Sequence, residues 1–121
     1  MSNRRILVVD DDPKVVKFIQ EYLEARDYEL LIAQDGPGAL NTIREESPDL
    51  VILDIMLPGI NGFEVCRRVR EFSQVPIIMI SARGDIGDRR RGLSLGACDY
   101  ITKPFDINDL VGRVRVALHH N

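Results

Sequence analysis

The sequence predicts an α/β fold: a doubly wound (βα)5 sandwich built around a five-stranded parallel sheet. Three observations predict it. Short apolar runs alternate five times with stretches of helical period. Runs one, three and four are apolar throughout rather than alternating, the pattern of parallel strands covered on both faces. The segments between runs are long enough for right-handed crossovers, which leads to an open sheet with helices on both sides.

The elements follow in order. Ile6-Leu7-Val8-Val9 is the first strand, and Val15, Val16, Ile19 and Leu23 form one face of the first helix, with Pro13 in its first turn. Leu30-Leu31-Ile32-Ala33 is the second strand. It runs into the turn signal Asp35-Gly36 and a short helix carrying Ala39, Leu40 and Ile43. Pro48-Asp49 introduces the third strand, Leu50-Val51-Ile52-Leu53. Pro58-Gly59 and Asn61-Gly62 then break the chain before a helix with Phe63, Val65, Cys66, Val69 and Phe72 on its apolar side. Ile77-Ile78-Met79-Ile80 is the fourth strand, followed by an Arg-rich helix from about Ile86 to Leu95 closed by Gly96. Tyr100-Ile101 marks a short fifth strand, and Asp106 caps a last helix with Ile107, Leu110, Val111, Val114 and Leu118 inside.

Bulk properties narrow the function. The 121 residues suit one domain, 1–121, with ordinary hydrophobic (45%) and charged (29%) fractions. A net charge of −3 argues against nucleic-acid binding by this domain. No apolar run approaches the roughly 20 residues that cross a bilayer, and the N-terminus does not read as a signal peptide. Cys66 and Cys98 form no CxxC pair and read as buried or half-buried thiols, which places the protein in the cytoplasm. His119 and His120, at the C-terminus, are not expected to hold a metal.

In an open parallel sheet, ligands bind beyond the carboxyl ends of the strands. Asp10, Asp11 and Asp12 follow run one, Asp54 follows run three, Ser81 follows run four, and Thr102, Lys103 and Pro104 follow run five. Gathered carboxylates repel: two unit charges about 4 Å apart cost about 4 kcal/mol at an effective dielectric of about 20. Such a cluster calls for a hard divalent cation with oxygen ligands, for which Mg²⁺ is the natural choice. One carboxylate is then left to react. Lys103 offers a positive charge to an incoming phosphoryl oxygen, and Ser81 a hydroxyl donor. Taken singly, each of these residues also reads as a helix cap or a loop residue. Their joint placement at consecutive strand ends distinguishes them.

These stretches resemble the receiver domains of two-component response regulators (CheY-like), over nearly the whole length. The matching segments are Ile6 to Asp12, Pro48 to Asp54, Met56-Leu57-Pro58-Gly59 with Gly62, Ser81-Ala82-Arg83, and Gly96 to Phe105. The resemblance implies a flavodoxin-like strand order, 2-1-3-4-5. It implies that Asp54 is the phosphoacceptor and that Asp10, Asp11, Asp54 and the Met56 backbone carbonyl hold Mg²⁺, with Mn²⁺ or Ca²⁺ as substitutes. It further implies that Ser81 and Lys103 contact the phosphoryl group, that the Lys103–Pro104 bond is cis, and that Tyr100 changes its exposure when Ser81 moves. Met56 and Arg83 stand where the family tunes dephosphorylation. Such a domain catalyses only its own phosphorylation and dephosphorylation, and its partner is a sensor histidine kinase or a phosphotransfer protein.

Within the family, the segment from Asp88 to Phe105 looks like the winged-helix (OmpR/PhoB-type) transcription-factor class. Its receivers dimerise through helix four, strand five and helix five. Arg89 with Asp109, and Asp99 with Arg113, stand at the positions of the symmetric ion pairs. Cys98 and His120 replace the acid and the base of a third pair, which leaves the strength of the expected dimer open. Residues 1–121 are expected to be either a single-domain regulator or the receiver part of a longer one, and the signature, which usually accompanies an effector, slightly favours the second. Three other readings remain open. Asp10-Asp11-Asp12 satisfies the D-x-D of a haloacid-dehalogenase-type phosphatase with Asp10 as nucleophile, although no second acidic pair follows a later strand. A flavodoxin would need hydroxyls and amides, not three aspartates, in the first loop. A pseudo-receiver would use the same fold only to bind partners.

Overall fold

The computed structural model describes residues 3–119. Five βα units follow one another: β1 (Arg5–Val9), α1 (Pro13–Glu24), β2 (Glu29–Ala33), α2 (Gly36–Glu46), β3 (Leu50–Asp54), α3 (Gly62–Val69), β4 (Ile77–Ser81), α4 (Ile86–Ser94), β5 (Asp99–Thr102) and α5 (Ile107–His119). The strands form one parallel sheet in the order β2-β1-β3-β4-β5. This is the order the resemblance implied. The order reverses direction at β1, so the tips of β1 and β3 become neighbours at a switch point.

The three apolar runs occupy the centre of the sheet. β3 and β4 are buried along their whole length and β1 along all but its first residue. Alternate side chains feed two cores. Leu7, Val9, Val51, Leu53, Ile77 and Met79 pack beneath α2, α3 and α4, together with Ile43, Phe63 and Tyr100. Ile6, Val8, Leu50, Ile52, Ile78 and Ile80 pack beneath α1 and α5, together with Ile19, Leu23, Leu110 and Val114. Each such side chain contributes about 1.5–3 kcal/mol by leaving water.

Loop residues start the helices. Asp12, Asp35, Asn61 and Asp85 each accept a backbone N–H from the first turn of α1, α2, α3 and α4. Asp106 Oδ1 accepts from Asn108 N at 2.8 Å, the expected start of α5. Gly96, with φ of 107°, follows the end of α4 in a backbone region that suits glycine.

Two expectations need correction. Phe72 is not on the apolar face of α3. That helix ends at Val69, and Phe72 lies half-exposed under the Arg44 guanidinium, 4.4 Å from the ring centroid. The helical spacing from Val65 and Val69 carried no information about where the last turn stops. Cys98 is exposed, whereas Cys66 is buried and its thiol donates to the Leu95 carbonyl at 3.4 Å. Cys98 immediately precedes the edge strand β5, in the turn that follows α4. His120 lies outside the described residues. No helix among the described residues is long and apolar enough to cross a membrane.

Candidate functional site

Strand pairing brings the acids together. Val9 is in register with Leu53, so the next residues, Asp10 and Asp54, emerge side by side at the carboxyl edge. Both are buried, at 1% and 3% exposure, which is rare for aspartate. Asp11 is exposed at the rim. One carboxylate oxygen from each of Asp10, Asp11 and Asp54 lies within 4.8 Å of the others. Ser81 is paired with Thr102 across β4 and β5, and Lys103 N donates to Ser81 O at 2.7 Å. That bond turns Lys103 back over the strand tips, and the Lys103–Pro104 peptide is cis.

Lys103 bridges the two buried acids. Its Nζ donates to Asp10 Oδ2 at 3.1 Å and to Asp54 Oδ2 at 3.3 Å. The remaining oxygens are held by backbone amides: Asp12 N donates to Asp10 Oδ1 at 2.9 Å, and Met56 N to Asp54 Oδ1 at 3.0 Å. Asp54 is therefore fixed in orientation. Burial pushes the Asp10 carboxyl above the usual carboxylate range, and the charge of Asp54 adds to the push. The Asp12 N–H and Lys103 hold it back. For Lys103, burial pulls the ammonium down, but the hydrogen bonds and charges of Asp10 and Asp54 outweigh it and keep it above the ordinary lysine value.

Three carboxylates face one ammonium, an excess of negative charge on hard oxygen donors. That donor set suits a divalent cation of the Mg²⁺ type. A shallow cavity beside the cluster is lined by Asp11, Met56, Asn61 and Arg83. Met56 itself is 54% exposed, so its side chain presents no packing constraint on an entering group.

Ser81 is fully buried, and its Oγ accepts from Arg83 N at 3.0 Å. Tyr100 is buried too, and its hydroxyl donates to the Arg83 carbonyl. The structure thus holds Tyr100 in the inward position. Burial pushes its phenol above the ordinary tyrosine value. Arg89 lies 5.5 Å from the Tyr100 ring centroid, and its Nη1 donates to Tyr100 O at 3.4 Å. Arg113 pairs intramolecularly with Asp99 at 2.5 Å and Asp109 at 3.2 Å. All four residues expected on a dimer face therefore sit on α4, β5 and α5, and three of them are already joined within one molecule.

Of the strand-end residues singled out in the sequence, the structure brings Asp10, Asp11, Asp54 and Lys103 together, with Ser81 at the neighbouring strand tip. What the sequence did not indicate is the support behind them. Asp12 orients Asp10 through its N–H, and Asp88, an acid in the first turn of α4, is buried. Neither role leaves a periodic signal, because one is a backbone contact and the other depends on how α4 docks.

The comparisons with known proteins agree with this geometry. The family model described as response regulator receiver domain matches residues 6–115. The sequence is 48% identical over 118 residues to the DNA-binding response regulator MtrA of Mycolicibacterium smegmatis, an alignment covering 98% of this chain and 52% of that protein. The chain spans about half the length of the curated relatives it matches. Among solved structures, the BeF3-activated N-terminal receiver domain of Klebsiella pneumoniae RstA superposes with a TM-score of 0.92 at 37% identity, covering 97% of this chain and all (100%) of that one. The receiver domain of the Francisella response regulator 1452 gives 0.92 at 33% identity, over 96% and 97% of the two chains.

Proposed function

The chain belongs to the response regulator receiver domain family, and on that premise we propose that it is a phosphorylation-controlled switch whose Asp54 accepts a phosphoryl group. The donor is a sensor histidine kinase or a phosphotransfer protein, and the output is control of transcription through the α4-β5-α5 surface. The observation that carries this reading is the Asp54 carboxylate, buried and oriented by Met56 N and Lys103 beside two further acids.

The Asp54 carboxylate attacks phosphorus, an oxygen–phosphorus bond forms, and the donor nitrogen leaves with its bonding pair. Lys103, already between Asp10 and Asp54, is placed to neutralise charge on a phosphoryl oxygen. Bound Mg²⁺, or Mn²⁺ or Ca²⁺ in its place, would be held by Asp10, Asp11, Asp54 and the Met56 carbonyl and would supply charge neutralisation during transfer. The Ser81 hydroxyl, which accepts from Arg83 N in this structure, turns toward the new phosphoryl group, and Tyr100, already buried, repacks as Ser81 moves. The product places extra negative charge on the sheet edge, which biases a surface that includes Arg89, Asp99, Asp109 and Arg113. Exposed ion pairs are individually weak, so the dimer expected there is controlled by this bias rather than by any one pair.

The test is covalent labelling with a radioactive small-molecule phosphoryl donor in the presence of Mg²⁺. Wild-type protein takes one acid-stable, base-labile label, and Asp54→Ala takes none. Undiminished label in Asp54→Ala would overturn the assignment. Label recovered on Asp10 would restore the dehalogenase-type reading instead.

A further inference from the structure

Among the described residues, the buried polar side chains are Asp10, Asp54, Ser81 and Asp88. The first three belong to the site. Asp88 does not, and nothing in the transfer chemistry uses it. It lies in the first turn of α4, where Asp85 Oδ1 accepts its N–H at 2.7 Å.

Its carboxylate meets the guanidinium of Arg83 side-on. Arg83 Nη2 donates to Asp88 Oδ1 at 3.1 Å, and Arg83 Nε lies 3.0 Å from Oδ2, close enough for an ion pair though not aligned as a hydrogen bond. The Asp88 side chain is only 10% exposed and that of Arg83 47%. Such a two-point arginine–carboxylate contact fixes orientation as well as distance.

Arg83 is also the residue on which the two switch side chains rest. Its N–H donates to Ser81 Oγ, and its carbonyl accepts from the Tyr100 hydroxyl. One residue therefore carries three contacts: its backbone N–H to the strand tip, its backbone carbonyl to β5, and its guanidinium to α4. With the guanidinium held, the positions open to the Arg83 backbone are fewer. The Tyr100 hydroxyl, buried and in need of a partner, donates to that carbonyl, with the Ser81 side chain as its other polar neighbour.

We propose that Asp88 is a positioning residue for the switch: by fixing the Arg83 side chain, it holds the Arg83 backbone where it accepts Tyr100 and supports Ser81. The inward position of Tyr100 then depends on an ion pair on α4, and α4 is coupled to the phosphoryl site through Arg83. This regulatory meaning rests on the receiver reading above. The contact itself does not require phosphorylation.

The test uses the whole protein without any phosphoryl donor, labelled with 3-fluorotyrosine and observed by ¹⁹F NMR. The Tyr100 resonance is assigned by its loss in Tyr100→Phe. Its exposure is read as relaxation by a soluble gadolinium chelate. In wild type the resonance is protected. Asp88→Asn and Arg83→Gln each raise its relaxation severalfold, and the double variant adds little to either, because both substitutions break one contact. Arg83→Gln leaves Asp88 in place at the start of α4, so it separates the ion pair from the effect of an acid on the helix end. Protection unchanged in both single variants, or lost in Asp88→Asn alone, overturns the proposal. If Asp88→Asn does not fold, the Arg83→Gln result decides. Labelling of Asp54 in wild type tests the receiver reading separately, so the two can fail independently.

Discussion

Gly62 lies directly against the backbone of Asp54. A Cβ at position 62 would fall 2.6 Å from Asp54 O and 2.7 Å from the Ile55 Cα. Gly62 N also donates to Ile55 O at 2.9 Å, so the first turn of α3 is pinned to the end of β3. Backbone does not yield as the end of a flexible side chain does. Gly62→Ala is therefore expected to cost about 1–3 kcal/mol by overpacking. It should also slow the labelling of Asp54, because the strain falls on the peptide that orients its carboxylate. Urea denaturation and the labelling rate measure the two effects. An unchanged midpoint would show that the loop relaxes freely.

Two other glycines should respond in opposite directions to the same substitution. At Gly92, a Cβ would sit 2.7 Å from Met79 Sδ and 3.2 Å from the Tyr100 ring. At Gly112, on α5, it would meet nothing within 4 Å. Gly92→Ala should destabilise by about 1–3 kcal/mol and press Tyr100 outward. Gly112→Ala should stabilise by about 0.5–1 kcal/mol through helix propensity and a less flexible unfolded state. Thermal unfolding of both variants distinguishes them, and equal shifts would contradict the packing described for α4.

On the proposed reading, the acidic cluster makes the fold responsive to a cation. Asp10 and Asp54 are buried with one ammonium between them, so the metal-free protein carries a repulsion that a divalent cation relieves. Added Mg²⁺ should raise the unfolding midpoint, the stability increasing by about 1.4 kcal/mol for each tenfold rise once the site is mostly filled. Asp10→Asn should raise the midpoint in chelator and largely abolish the response to Mg²⁺. A midpoint in chelator below that of wild type would mean that the Lys103 contact outweighs the repulsion.

Glu64 supplies a pH test on the surface. Hydrogen bonds from Arg67 first, and then Arg68, hold its carboxyl well below the usual range, at about 2. Its folded pKa is depressed, so its stabilising effect is present above the unfolded value of 4.5 and is lost as pH falls through about 2. Lying at the surface with its side chain 32% exposed, it should contribute little, and less in high salt. NMR titration of the side chain should place it near that value. Arg67→Gln should raise it more than Arg68→Gln does, and the reverse order would contradict the geometry.

Much of this molecule follows from local sequence. Five apolar runs and the helical periods between them define the elements, because burial on one or two faces leaves a repeat that survives in one dimension. The residues just beyond the runs follow too: Asp10, Asp11, Asp54, Ser81 and Lys103 occupy the strand tips because any parallel strand delivers its next residue to the same edge. Family likeness added the strand order and the roles. Tertiary structure decided which tips are neighbours and what stands behind them. Lys103 joins Asp10 and Asp54 across 93 and 49 residues of sequence, and Arg83 finds Asp88 only because α4 docks beside the loop. Phe72 and Cys98 turned outward for a related reason. Periodicity records that a side chain is apolar, whereas its burial depends on where a helix stops and on whether another element covers that face.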